Sequence, residues 1–473
     1  MQITFPGFIL IPLGIILLIT SRKYLYYFTV FFIPFTGTSL LNSSSGAALN
    51  VAHYLILLLF LSELKKIIVT CKIRIPKDLS SRSILYMFIF MGIVSLTLIM
   101  PAIINGRLQV YTGEASNFYL HNTQTVRFSF KLLERIYPLV FGILLAYLIA
   151  IKSQSPILLR RFLKIYSFSI FFISIWGLFQ LFCHFKNITY PDFIFNTMVE
   201  DYKMEVNTTY DFANKEFFRI NSVTQEPSHL ALILLTVLPF FIISLIKRKV
   251  IFSIILDRIM FFTILSVLIL STSTAAILGF ILLFPIIILV SRINKIFRVR
   301  YLLIIFTLCF FVIAFIIISS TTVQDYVSAV LLTKSESSSA FVRAFSIVTS
   351  WSYFLQYPIL GIGWSLATSH DLIVYILANS GIVGLFSFLL MIFSILSRSI
   401  KNNKKLRMKF HLSYHIIEVY LNGLIISFVT YLCVSMFLGF IWYQPIFYFL
   451  IGMLIAYNTC IYSISSNDAS TTH

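Results

Sequence analysis

Residues 341–386 read FVRAFSIVTSWSYFLQYPILGIGWSLATSHDLIVYILANSGIVGLF, and this stretch decides how the rest of the chain is read. From Asp371 the sequence runs apolar to about Leu396. That is long enough for a helix across a bilayer, which needs about 20 apolar residues. Ahead of the run stand Arg343, the turn Pro358-Ile359-Leu360-Gly361-Ile362-Gly363, and His370 at the mouth of the helix. An arginine and a histidine at a membrane mouth, joined by glycine-freed backbone, suit chemistry on a lipid-borne anion.

Working outward, the same kind of apolar run recurs along the chain. The composition is 59% hydrophobic with 11% charged residues, about half the charge of an average soluble protein. Further spans are expected at about 4–20, 24–38, 47–63, 83–104, 132–151, 165–184, 228–246, 259–271, 273–291, 301–319, 416–439 and 442–461. The expected fold is all-α, a polytopic integral membrane protein with about 12–13 transmembrane helices. It forms a single membrane domain over 1–473. The first run has no positive charge before Phe5 and no small-residue cleavage site after it, so it reads as a span and not a signal peptide. Residues 259–291 are short for two full spans. Either Ser271-Thr272-Ser273-Thr274 is the tip of a hairpin, or its hydroxyls bond back onto one kinked helix.

Charge divides the connections into two sets. Short segments around Arg22, Lys65 to Arg82, Lys152 to Lys164, Lys247 to Arg258, Arg292 to Arg300 and Arg398 to Lys409 hold 26 of the 36 Lys and Arg residues. That bias predicts a cytoplasmic side. The other side holds longer loops at 105–131, 185–227 and 320–370, with Glu200, Asp201, Glu205, Asp211, Glu216 and Glu226 among their acids. Long loops are where function concentrates. This topology puts the amino terminus outside. The +19 net charge belongs to these orientation signals, and with no basic, aromatic-interleaved soluble face no nucleic-acid partner is expected. Cys71, Cys183, Cys309, Cys433 and Cys460 are scattered singly, at no metal or redox spacing, and read as small core residues without a disulfide.

Ionisable residues are nearly absent from the expected spans, His53 being the clearest exception. An ion-driven transporter places such groups near the midplane. Here they crowd at the exterior mouths. The segment Phe217-Phe218-Arg219-Ile220-Asn221-Ser222-Val223-Thr224-Gln225-Glu226-Pro227-Ser228-His229 closes the second loop, with Pro227 suited to the first turn of the next helix. Glu226 fits a helix start, and Arg219 is a lone arginine among apolar neighbours. Arg343 alone reads as a surface arginine; with Arg219 it makes a shared anion site, since a guanidinium offers two parallel donors to phosphate. His370 is either a residue at a helix start capped by Ser369 or Asp371, or a general base. Glu226 is the reserve base. The loops carry no Asp-x-Asp pair and no cluster at metal spacing, and no glycine-rich loop follows a strand. No metal and no nucleotide cofactor are expected.

Taken in order, the Arg219 loop, the Ser/Thr hairpin, Arg343, Tyr357 to Gly363, His370 and Ala378-Asn379-Ser380-Gly381-Ile382-Val383-Gly384-Leu385 resemble the O-antigen polymerase and O-antigen ligase superfamily (Wzy and WaaL types). The resemblance covers most of the chain and departs at Asp371, where the family often has Asn. It implies metal-independent glycosyl transfer at the outer face of a bacterial cytoplasmic membrane. The donor would be an oligosaccharide on undecaprenyl diphosphate, with Arg219 and Arg343 on the diphosphate and His370 assisting the acceptor. The reading favoured is a polymerase of lipid-linked repeat units, which implies membrane lipid, a chain-length regulator and a flippase as partners. The alternatives are a ligase to lipid A core, a lipid-linked oligosaccharide flippase, and a non-catalytic assembly partner. The missing internal repeat, the ion-poor spans and the one-sided loops weigh against the flippase.

Overall fold

A backbone inside a bilayer must satisfy its own hydrogen bonds, so long apolar runs become helices. The computed structural model describes residues 2–43, 48–70, 82–111, 123–153, 155–198, 209–212, 215–248, 250–294, 338–409, 415–438, 442 and 444–470. Its first half contains β1 (Gln2–Ile3), α1 (Phe5–Thr20), α2 (Arg22–Phe32), β2 (Ser39–Asn42), β3 (Ala48–Asn50), α3 (Val51–Thr70), α4 (Arg82–Thr97), α5 (Met100–Ile104), β4 (Gln109–Tyr111) and β5 (Thr123–Thr125). A 3-10 turn (Phe130–Ile136) then leads into α6 (Tyr137–Lys152), α7 (Pro156–Phe185) and the short α8 (Asp192–Phe195). The second half contains β6 (Thr209–Phe212), β7 (Lys215–Phe218), α9 (Pro227–Lys247), α10 (Ile254–Leu270), α11 (Thr274–Asn294), α12 (Ser338–Gln356), α13 (Leu372–Lys409), α14 (His415–Ser435) and α15 (Pro445–Ser470).

Six of the described helices are long and apolar enough to cross a membrane, and α1, Val419–Ser435 and Pro445–Ile461 are shorter apolar helices. The chain is an all-α polytopic membrane protein. Of these six, α9 is the most buried: 83% of its apolar window is buried, against 39–50% for the other five. Helices α10, α11 and α14 pack around it, α15 packs on α6, and α13 on α4. Outward-facing Phe8, Ile16, Phe262, Ile269 and Phe393 are exposed, as lipid-facing side chains are. His53 lies in α3 against the rings of Tyr137 and Phe141, at 5.4 and 5.6 Å.

Several boundaries differ from expectation for one reason. The apolar run ends before the helix does. Arg160, Arg161 and Lys164 lie on α7 and not in a loop, and the basic stretch from Arg398 to Lys409 is helical. Lysine and arginine are good helix formers, and their long stems carry the charge back towards water. The opposite happens at residues 33–38, where Pro34 follows the end of α2 and the chain turns into the β2–β3 hairpin. Residues 271–274 form the tip of a hairpin, with Thr272 left-handed at φ 48°. Its two helices splay, each resting against α9. The expected span 301–319 and residues 320–337 of the third loop lie outside the described residues.

The loops meet at one end of the bundle. The Gly37 N–H donates to Val223 O (2.9 Å), the Met198 N–H to Gly37 O (3.2 Å), and the Tyr111 N–H to the Tyr353 hydroxyl (3.1 Å). Gln2 pairs with Asn42, which puts the amino-terminal strand at that end too. Backbone crosses backbone here. Gly361 (φ 66°) lies where a Cβ would stand 2.5 Å from Ala378 O, and Gly381 (φ 65°) where one would stand 2.1 Å from Ile359 O. Gly381 breaks α13, and the Ile382 N–H turns to Pro358 O (2.9 Å). The glycine turn expected to act as a hinge is therefore a packed crossing, with Ile362 and Trp364 buried beneath it.

This crossing predicts a sharp contrast among glycines. Gly381→Ala and Gly361→Ala each place a side chain in a left-handed conformation, at a cost of at least ~1 kcal/mol, and against backbone that has nowhere to move. Both should lower the melting temperature of the purified protein. Gly92→Ala, which meets nothing within 4 Å, should be neutral or slightly stabilising. Equal melting temperatures for all three would contradict the crossing.

Candidate functional site

The segment from Arg219 to Glu226 is set by a buried amide. Gln180, fully buried on α7, would be costly among apolar neighbours unless its polar atoms were satisfied. Its Nε2 donates to Asn221 Oδ1 (2.7 Å), and its Oε1 accepts the N–H groups of Asn221 (3.2 Å) and Ser222 (2.9 Å). Ser222, left-handed at φ 52°, donates its hydroxyl to Ile173 O (2.7 Å) and accepts at its carbonyl from Asn196 Nδ2 (2.7 Å). Arg219 stands just before this knot, half-buried, after the β6–β7 hairpin. Glu226 stands just after it, as the residue before α9, with Pro227 in the first turn as the sequence implied. The Ser228 hydroxyl donates to Glu226 Oε2 (2.9 Å).

The second half comes from α12 and the loop to α13. Asn379 clamps that loop: its Oδ1 accepts the Ala367 N–H (2.8 Å), and its Nδ2 donates to Ala367 O (2.9 Å) and Tyr375 O (2.8 Å). Arg135 donates to Ser365 O (2.5 Å), and the Ser350 hydroxyl to Thr368 O (2.8 Å). Asp371 caps α13 by accepting the Val374 N–H (2.8 Å), so the neighbour of His370 serves the helix. His370 faces α12. Its Nδ1 lies 2.9 Å from the Ser346 hydroxyl, one turn beyond Arg343.

Electrostatics join the two halves. Burial acts to raise the Glu226 carboxyl, but His229, the Ser228 hydroxyl, Arg343 and Arg219 together hold it below the usual carboxylate range. The Glu226 side chain is reached by solvent. Burial pushes the half-buried Arg343 guanidinium down, and Glu226 offsets this. His370 is pushed down to about 4, by burial first and Arg343 second, with Glu226 opposing. The structure thus brings Arg219, Glu226, Arg343 and His370 into one electrostatic neighbourhood, although more than a hundred residues separate the two arginines in sequence.

The Ser346 hydroxyl joins the two elements. It lies 2.8 Å from Arg343 O and 2.9 Å from Nδ1 of His370, which orients the imidazole against α12. The His370 backbone N–H points at the same hydroxyl oxygen, at 3.4 Å. A neutral imidazole beside the Arg343 guanidinium can accept a proton from a hydroxyl while the arginine holds an anion. Its titration, however, lies below the near-neutral range expected from an unperturbed histidine.

Sequence reasoning gave no role of their own to His229, Ser346, Gln180 and Asn379. His229 falls one helical turn after Glu226, a spacing that brings side chains together and was legible. Ser346 stands one turn after Arg343 and was legible in the same way only once Arg343 was placed on a helix. Among the described residues no group of three or more His, Cys, Asp and Glu stands together as a metal site. No protein-family model matches the chain, and no curated protein matches it.

The depressed histidine has a direct test. A group lowered by burial stays neutral as pH falls, so His370 should remain reactive to an imidazole-acylating reagent down to about pH 5 and titrate near 4. Arg343→Gln should move that midpoint upwards, because Arg343 is one of the groups holding it down. Site-resolved mass spectrometry of the modified histidine reads both. A midpoint near 6.5 in the wild type, unmoved by Arg343→Gln, would contradict this electrostatic coupling.

Proposed function

We propose that the protein is a glycosyltransferase that uses a glycan on a polyprenyl diphosphate, and that it polymerises lipid-linked repeat units. The observation that carries the reading is the meeting of two half-buried arginines with one carboxylate and a neutral histidine at the loop-bearing end of an apolar bundle. Among the described residues two guanidiniums meet one carboxylate, a balance that suits a diphosphate. The bundle around it suits a polyprenyl chain. The basic residues at the opposite end fit a cytoplasmic side, with the site facing the periplasm of a bacterial inner membrane.

In this mechanism Arg219 and Arg343 hold the diphosphate and offset the charge that develops as it leaves. An acceptor sugar hydroxyl attacks the anomeric carbon, forming the new glycosidic C–O bond. The bond from that carbon to the phosphate oxygen breaks, and its electron pair leaves on the diphosphate. The hydroxyl proton passes to the His370 imidazole. A bound diphosphate would raise the basicity of His370 by the same electrostatics through which Arg343 lowers it. Glu226 is the internal counter-ion of the two arginines; its low carboxyl makes it a weaker base than the imidazole once the anion is bound. No step calls on a divalent ion.

Reconstitution with purified undecaprenyl-diphosphate repeat units, in excess chelator, should give a ladder of products. His370→Ala should lower the rate by roughly 100- to 10,000-fold, and Arg343→Lys by on the order of 100-fold, since an ammonium lacks the planar fork. Reaction only after lipid A core is added would make the protein a ligase. Product-free movement of the lipid across the bilayer would make it a flippase, and full activity in both variants would remove His370 and Arg343 from the chemistry.

A further inference from the structure

At the basic end, away from the arginine–histidine site, α1, α2 and α7 diverge around a groove of about 600 Å³. Leu17 of α1, Phe28 and Phe31 of α2 and Phe168 of α7 make its floor. Phe252, from the loop between α9 and α10, closes one end, and it is held there. Its N–H donates to Asp257 Oδ1 (3.0 Å), while the Ile251 N–H (2.7 Å) and the Ser244 hydroxyl (3.0 Å) donate to Oδ2.

Two ammonium groups stand on the aromatic walls of this groove. Lys164 lines it directly, with its Nζ over the Phe252 ring at 5.1 Å. Lys23 sits over the rings of Tyr24 and Tyr27, both part of the lining, at 5.9 Å from each. Arg160 and Asp257 are the charged groups near Lys164, so the local balance stays positive. The Tyr27 hydroxyl is closed off from water and has no hydrogen-bond partner among the described residues. An apolar floor and two cations on its aromatic walls define a ligand with a long acyl chain and a negative head.

We propose that the groove holds one acyl chain of an anionic glycerophospholipid, with the headgroup phosphate facing Lys23 and Lys164. Lysine stems reach from apolar surface to the interface for this purpose, and each lysine near an anionic headgroup strengthens binding several-fold. The lipid fills the gap between α1–α2 and α7 from the side of the membrane opposite the arginine–histidine site. It is bound by headgroup charge, not merely by contact with the bilayer.

Native mass spectrometry of the purified full chain tests this, with phosphatidylglycerol and phosphatidylcholine of matched acyl chains as probes. The wild type should retain one phosphatidylglycerol at least about tenfold better than phosphatidylcholine. Lys23→Gln with Lys164→Gln should abolish the preference, and Lys23→Arg with Lys164→Arg should keep it, which separates charge from folding. Leu17→Trp should fill the groove and release the lipid whatever its head. Equal retention of the two lipids by the wild type, or an unchanged preference in the glutamine variant, would overturn the proposal. Displacement of phosphatidylglycerol one-for-one by polyprenyl phosphate would overturn it as well and assign the groove to a polyprenyl chain.

Discussion

Two guanidinium groups half-buried at the end of an apolar bundle need a counter-charge, and Glu226 supplies it. Removing water from a cation is costly, and two cations in one cleft repel each other. The carboxylate at the start of α9 offsets both costs, and the cations in turn keep that carboxylate ionised against its own burial. Because α9 is deeply buried, with 83% of its apolar window inside the bundle, the charge cluster is fixed to a part of the fold poorly able to shift. An incoming dianion would compete with Glu226 for the same donors. The site is thus already arranged for the charge it is proposed to bind, and needs little reorganisation.

The loops that carry these charges are held by two buried side-chain amides. Gln180 fixes Asn221 and Ser222, between Arg219 and Glu226; Asn379 fixes Ala367, three residues before His370. Each amide bonds to loop backbone, Gln180 at Asn221 and Ser222 and Asn379 at Ala367, so displacing the loop would leave polar atoms unsatisfied in an apolar surrounding. The glycine crossing at Gly361 and Gly381 adds a steric constraint to the same loop. Precision at the site therefore comes from a few polar residues placed within otherwise apolar helices.

How far this was legible in the sequence depends on which physical signal was local. Apolar length located the helices, and isolated arginines beside apolar runs marked Arg219 and Arg343, because charge at a membrane mouth is rare and conspicuous. Helix ends were misread at Lys152 to Lys164 and Arg398 to Lys409, where hydropathy falls but helix propensity does not. The glycine turn was read as freedom. A left-handed glycine and a close-packed glycine look the same in a sequence, and only the partner strand of backbone tells them apart. The depressed basicity of His370 was also invisible, since it arises from burial and from an arginine 27 positions earlier in the chain. Gln180 could not be recognised as an anchor until the loop it holds was folded against it.

The central claim is that Arg219 and Arg343 act on one anion. The most direct measurement is a double-mutant cycle on equilibrium binding of an undecaprenyl diphosphate, with Arg219→Gln, Arg343→Gln and the double variant in nanodiscs. If both arginines grip the same diphosphate, the losses are coupled: the double variant binds more tightly than the product of the single effects predicts, by at least about threefold. Fully additive losses, or unchanged affinity in either single variant, would mean that the two arginines do not share a ligand.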